Sequence, residues 1–223
     1  MNVDRVALSL DVACFAIVDN RLTLLLMQRA DEPFAGAWAL PGGLVGAEER
    51  LDAAAARALA ERTGVEHAYL EQLYTFDDPA RDPRGRTVSV TYYGLLPLGD
   101  HPVRPGRGAR AVEWRPVDAL LPLAFDHGAI ADYARWRLTQ KITYAPLVFR
   151  VLPDTFTMGD LRLVHEAILG EPLHPSNFVR QMLARWDLSP VPGARDRRSR
   201  RPARLYRYVG PPEIPGPPPG QSF

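Results

Sequence analysis

A chain of 223 residues with 46% apolar content is long enough to bury one large core or two small ones. Its single cysteine, Cys14, excludes an intrachain disulfide framework and a Cys-rich zinc site, and points to a reducing, cytoplasmic setting. The net charge of +1 hides an asymmetry: residues 1–142 carry 16 Lys and Arg against 19 Asp and Glu, whereas residues 143–223 carry 11 against 7, so the two parts face different partners.

The first apolar stretches contain Asp11 and Asp19 and reach no uninterrupted run of about 20 residues, so they read as neither a signal peptide nor a membrane span. Residues 6–18 and 22–27 instead flank Asp19-Asn20-Arg21, which predicts a hairpin with Asn20 supplying the turn chemistry. Residues 49–62 are rich in Ala and Leu and are followed by Gly64, which predicts a helix with a glycine C-cap. Residues 70–76, 87–97 and 111–115 read as strands. The polar, Pro- and Gly-punctuated segment 77–86 reads as a loop, and residues 128–141 as a closing helix.

From Thr143 the pattern changes to three helical segments, 146–152, 158–169 and 175–186, broken by Pro153 and by Gly170-Glu171-Pro172. Residues 189–208 then predict two short strands around an Arg-rich tip. The tail from 210 is too rich in Pro and too poor in apolar residues to pack, so it is expected to be disordered.

Residues 43–65, GLVGAEERLDAAAARALAERTGV, resemble the signature of the Nudix hydrolase family. Gly43, Glu49, Arg57, Leu59, Glu61, Gly64 and Val65 stand at matching positions, and Arg29, Trp38 and Pro41-Gly42 resemble the family's flanks. Ala58 and Arg62 occupy two positions where the family has glutamates. Positions 58, 61 and 62 share one helix face by their i, i+3, i+4 spacing. The resemblance implies that carboxylates there would hold Mg²⁺ or Mn²⁺ against a diphosphate. Here that face offers a methyl group, one carboxylate and a guanidinium, so no metal, cofactor or catalytic residue is expected. Glu49, Arg57 and Glu61 contribute to a ligand site or simply form a surface ion-pair network.

A site that has lost its metal can still bind phosphate through guanidinium groups and backbone amides. The candidate ligand residues are therefore Arg29, Trp38, Glu49, Arg57, Glu61, Arg84 and Arg86, with Arg81 also in the loop and Phe76 or Tyr92 as alternative base-stacking partners.

The pair 158–169 and 175–186 has the length pattern of a helix-turn-helix, and the Arg-dense segment after it suits a wing that touches phosphate or a minor groove. Pro175 at the first helical position would leave Ser176, Asn177 and Arg180 toward DNA, with Phe178, Val179, Met182 and Leu183 packing inward. Arg200, Arg201 and Arg204 are the candidate wing contacts.

This order is similar to that of the Nudix-related, NrtR-type repressors of bacterial NAD metabolism. The expected fold class is α+β: a Nudix-like mixed-sheet α/β/α sandwich over residues 1–142, a winged helix-turn-helix over 143–209, and a tail over 210–223. The resemblance implies ADP-ribose or a related nucleotide as ligand, a palindromic double-stranded operator, a homodimer and no membrane partner. The rival reading is an active ADP-ribose or nucleotide-sugar pyrophosphatase whose base lies outside the box, at Glu48 or Glu113.

Overall fold

Asp19 and Asn20 are both left-handed, with φ of 50° and 61°, as a two-residue type I′ turn requires, and Val18 pairs with Arg21 across them. This turn joins β1 (Ala7–Val18) to β2 (Arg21–Arg29) in the computed structural model, which describes residues 6–97, 99, 101–196 and 202–211. The chain divides into two units, Met1–Leu138 and Thr139–Phe223.

The first unit is built on a mixed seven-stranded sheet that adds β3 (Trp38–Ala39), β4 (Gly42–Leu44), β5 (Tyr69–Phe76), β6 (Thr87–Leu95) and β7 (Ala109–Pro116). Its main path runs β3-β2-β1-β6-β5, with β4 on β1 and β7 on β2. The β1 and β6 strands are parallel, in register from Ala7 opposite Thr87 to Phe15 opposite Leu95. Both faces of β1 are buried. Leu10, Val12, Cys14 and Ala16 join Ala54, Ala55, Ala58 and Leu59 of α1 (Leu51–Thr63) in one apolar cluster, and the small alanines allow a close approach. On the opposite face Asp11, Ala13, Phe15 and Ile17 are buried too.

Arg50 caps α1, so the helix begins two residues later than the sequence suggests. Gly64 closes it in the left-handed region at φ 73°, donating to the Ala60 carbonyl. Beyond it, the backbone N–H groups of Arg104, Gly106 and Arg107 donate to the carbonyls of Thr63, Arg62 and Glu61, each at 3.0 Å. The last turn of α1 therefore has partners for carbonyls that a helix end leaves open. The last helix that begins in this unit, α2 (His127–Lys141), starts on the Asp11 face of β1.

The second unit holds α3 (Val148–Val151), β8 (Phe156–Thr157), α4 (Met158–Leu169), α5 (Pro175–Arg185), β9 (Leu188–Asp196) and β10 (Ala203–Tyr208). Its sheet runs β8-β10-β9, the arrangement of a winged helix. A reciprocal capping box starts α4: the Asp160 N–H donates to the Thr157 hydroxyl at 3.0 Å, and the Thr157 N–H to the Asp160 carboxylate at 2.8 Å. Gly170, at φ 76°, ends it. The core contains Phe156, Leu161, Val164, Ile168, Phe178 and Met182. Phe149 stacks on Tyr208 at 4.2 Å and meets the Trp186 edge at 5.7 Å, which ties the wing strand to the helices. Leu183 departs from its expected packing role and is 46% exposed, and the first expected helix of this unit is a single turn. Among the described residues, no helix is long and apolar enough to cross a membrane.

Candidate functional site

A cavity of about 770 Å³ opens in the first unit, and five arginines line it: Arg29, Arg62, Arg81, Arg84 and Arg86. Its floor is a buried polar cluster. The Arg81 guanidinium, only 4% exposed, forms a fork with both Asp126 carboxylate oxygens at 2.7 and 2.8 Å and reaches Asp11 at 3.3 Å. Asp11 also accepts from the Ser89 hydroxyl at 2.7 Å and faces His127 Nε2 at 3.3 Å. The Leu40 N–H donates to His127 Nδ1 at 2.9 Å, which orients the ring with Nε2 toward Asp11. Burial by itself raises the Asp11 carboxyl, but His127, Ser89 and Arg81 outweigh it and hold the group at about 2, well below its ordinary 3.8.

The rim is aromatic and cationic. Phe125 lies under the Arg29 guanidinium at 4.8 Å and under Arg84 at 5.7 Å, with Phe34 against its edge at 4.8 Å. Arg84 is forked onto Asp82 at 2.7 and 3.0 Å, and Arg86 donates to the Asp77 carbonyl.

Four of the sequence-derived ligand candidates, Arg29, Arg81, Arg84 and Arg86, thus line one cavity. The other four stand elsewhere. Trp38 lies beneath the Arg115 guanidinium at 4.3 Å on the β3–β2 pairing. Arg57 is forked onto Glu49 at 2.7 and 2.8 Å and bonded to Glu61 at 3.3 Å, the surface ion-pair network that the sequence allows. Of the alternative stacking residues, Tyr92 is buried in the α1 cluster and Phe76 packs against Tyr74 and Tyr133. The aromatic that does line the cavity, Phe125, was not singled out by the sequence, nor were Asp11 and His127.

Positions 58 and 62 also separate. Ala58, 2% exposed, points into the apolar cluster beneath the sheet, whereas the longer Arg62 side chain reaches the cavity. The divalent ion implied by the family signature does not fit this donor set. Position 58 brings no oxygen, Glu61 is held by Arg57, Arg62 is a cation, and among the described residues no group of three His, Cys, Asp or Glu side chains is arranged for a metal. Neither base of the rival reading lines the cavity: Glu48 is exposed at the surface and Glu113 pairs with Arg115 on β7.

In the second unit, Ser176, Asn177 and Arg180 form an exposed face at the start of α5, opposite the buried Phe178 and Met182. Arg180 lies 3.4 Å from the Asn177 side-chain oxygen, one turn along the helix. Arg204 is exposed on β10 opposite Arg195 on β9. Arg200 and Arg201 lie outside the described residues, as do residues 212–223 of the Pro-rich tail.

The NUDIX domain family model matches residues 8–136, and the NrtR DNA-binding winged helix domain model matches residues 148–208. The chain is 35% identical to the ADPR responsive transcriptional repressor NtrR of Acinetobacter baylyi, over 91% of this chain and 82% of that protein. The crystal structure of Shewanella oneidensis NrtR complexed with a 27mer DNA superposes with a TM-score of 0.73 at 36% identity, covering 90% of this chain and 93% of the other. The NUDIX domain of that NrtR in complex with ADP ribose superposes with a TM-score of 0.57 at 36% identity, over 61% of this chain and 90% of the other.

Proposed function

The chain belongs to the Nudix family, in the branch that ends in an NrtR winged helix, and we propose that it is a transcriptional repressor released from its operator by ADP-ribose or a closely related nucleotide. The similarity to the Acinetobacter repressor carries this reading, because it runs through both units: the arginine-lined cavity and the exposed α5 face occur in one chain. The cavity supplies guanidinium donors for a diphosphate and, in Phe125, an aromatic ring for a base or ribose face.

Ser176, Asn177 and Arg180 enter the major groove, where Asn recognises adenine and Arg guanine through paired hydrogen bonds, and Arg204 contacts phosphate. The repressor acts as a homodimer on a palindromic site in the control region of NAD-metabolism genes. Reading two half-sites makes affinity sensitive to small changes in the relative placement of the two reading heads. With Ala58 and Arg62 in place of carboxylates, the first unit binds its nucleotide without hydrolysing it, as a sensor must.

The test is fluorescence anisotropy on the DNA upstream of the chain's own gene. Sequence-specific, salt-sensitive binding that ADP-ribose weakens is the expected result; failure to prefer that duplex over random DNA would remove the repressor reading.

A further inference from the structure

Among the described residues, Arg62 and Arg29 are the cavity arginines that are both half-buried and outside any salt bridge. Arg81 is neutralised by Asp11 and Asp126, Arg84 by Asp82, and Arg86 is an exposed side chain on the rim. Arg62 instead donates its Nε–H to the Gly42 carbonyl at 3.1 Å and an Nη1–H to the Arg107 carbonyl. Arg29 likewise donates to the carbonyls of Pro33 at 2.8 Å and Asp31 at 3.2 Å. Among the described residues neither makes an ion pair. Each spends two of the five N–H donors of a guanidinium on backbone oxygens and keeps the rest for the cavity.

Both are held in place by what surrounds them. Gly108, at φ +71°, leaves room for Arg62, since a Cβ there would clash with its Nη1, and the Arg104–Arg107 backbone fixes the helix turn that carries it. Burial lowers the proton affinity of both arginines. Neighbouring cations add to this, Arg107 and Arg57 on Arg62 and Arg84 and Arg62 on Arg29, while Glu61 and Asp31 partly oppose it on Arg62 and Asp31 and Asp82 on Arg29. Two fixed, partly desolvated cations that, among the described residues, no carboxylate meets within salt-bridge distance keep donors for an incoming anion.

We propose that Arg62, with Arg29, is a built-in cationic clamp that takes the place of the family's divalent metal, so that this cavity binds a nucleoside diphosphate group without any metal ion. The inference rests on the ligand class proposed above. A guanidinium fork offers a phosphoryl group paired donors as well as charge, and it needs no carboxylates to hold it.

Isothermal titration of the full chain tests the clamp, with ADP-ribose and with inorganic pyrophosphate, each in EDTA and in Mg²⁺. ADP-ribose affinity should agree within about twofold between the two buffers, and Arg62→Gln should weaken it by about 10- to 100-fold, the loss expected for a charged hydrogen-bonding partner. Arg62→Lys, which keeps the charge but not the fork, should fall between them. Arg62→Glu should bind more weakly still in EDTA. A urea midpoint near that of the wild type establishes that each variant is folded, and the wild-type comparison of the two buffers needs no variant at all.

Binding that requires Mg²⁺, or Arg62→Gln binding as tightly as the wild type, overturns the clamp. If ADP-ribose fails to bind but pyrophosphate binds without metal and is lost in Arg62→Gln, the clamp stands and the ADP-ribose reading falls. If neither binds in EDTA, the clamp is wrong.

Discussion

Asp11→Asn removes the charge at the centre of the cavity floor while keeping the size of the side chain. Asp11 is 7% exposed and its carboxyl sits at about 2 instead of 3.8, because His127, Ser89 and Arg81 favour the charged form more than burial penalises it. An acid whose affinity for protons falls on folding stabilises the folded state above its unfolded value, and that stability is lost as pH drops through the folded one. At about 1.4 kcal/mol per pH unit, the shift corresponds to roughly 2 kcal/mol at pH 6, of which about 1 kcal/mol remains at pH 3. Urea unfolding of wild type and Asp11→Asn at both pH values measures the difference directly. The variant should be less stable by roughly 2 kcal/mol at pH 6, and the gap should about halve at pH 3. A gap that is the same at both pH values, or absent at both, would show that the Asp11 charge is not what this cluster stabilises.

Ala58→Glu should cost several kcal/mol in urea unfolding, because it forces a carboxylate into the apolar cluster beneath β1 where no donor awaits it; an unchanged midpoint would mean that position 58 is not buried. Asn177→Ala and Arg180→Ala should each cost about 1–3 kcal/mol on the operator and relax its sequence preference, as competition binding against single-base variants would register. Arg204→Ala should weaken all duplexes alike and make the slope of log K against log salt shallower by about 0.9. An operator-selective loss at Arg204, or a uniform loss at Asn177, would reverse the division between base and phosphate contacts.

Local signals carried much of the architecture. The Asp19-Asn20 turn, Gly64 and Gly170 at helix ends and Pro175 at a helix start are decided by the backbone preferences of one or two residues. The exposed face of α5 followed from helical periodicity once Pro175 set its phase.

The cavity was harder to read, because its parts come from distant segments. Arg81 stands in a polar loop that composition assigns to solvent, yet Asp11 and Asp126, 70 and 45 residues away, bury it. Phe125 and His127 carry no local mark of a site, and His127 acquires its role only when Leu40 and Asp11 flank its ring. The spacing of positions 58 and 62 correctly puts them on one helix face, but it says nothing about which turn of that face lies under the sheet. There the short Ala58 stays in the core while Arg62 extends to the cavity. The two-residue β8 has no periodicity to detect and exists because β10 pairs with it.

The coupling between ligand and DNA tests the proposed function most directly. Operator affinity is measured by anisotropy with and without saturating ADP-ribose, and ADP-ribose affinity by calorimetry with and without operator. The expected result is a loss of affinity by the same factor in both titrations, in the range of about 5- to 150-fold that allosteric coupling commonly spans. Equal affinities with and without the other ligand would contradict an ADP-ribose-responsive repressor.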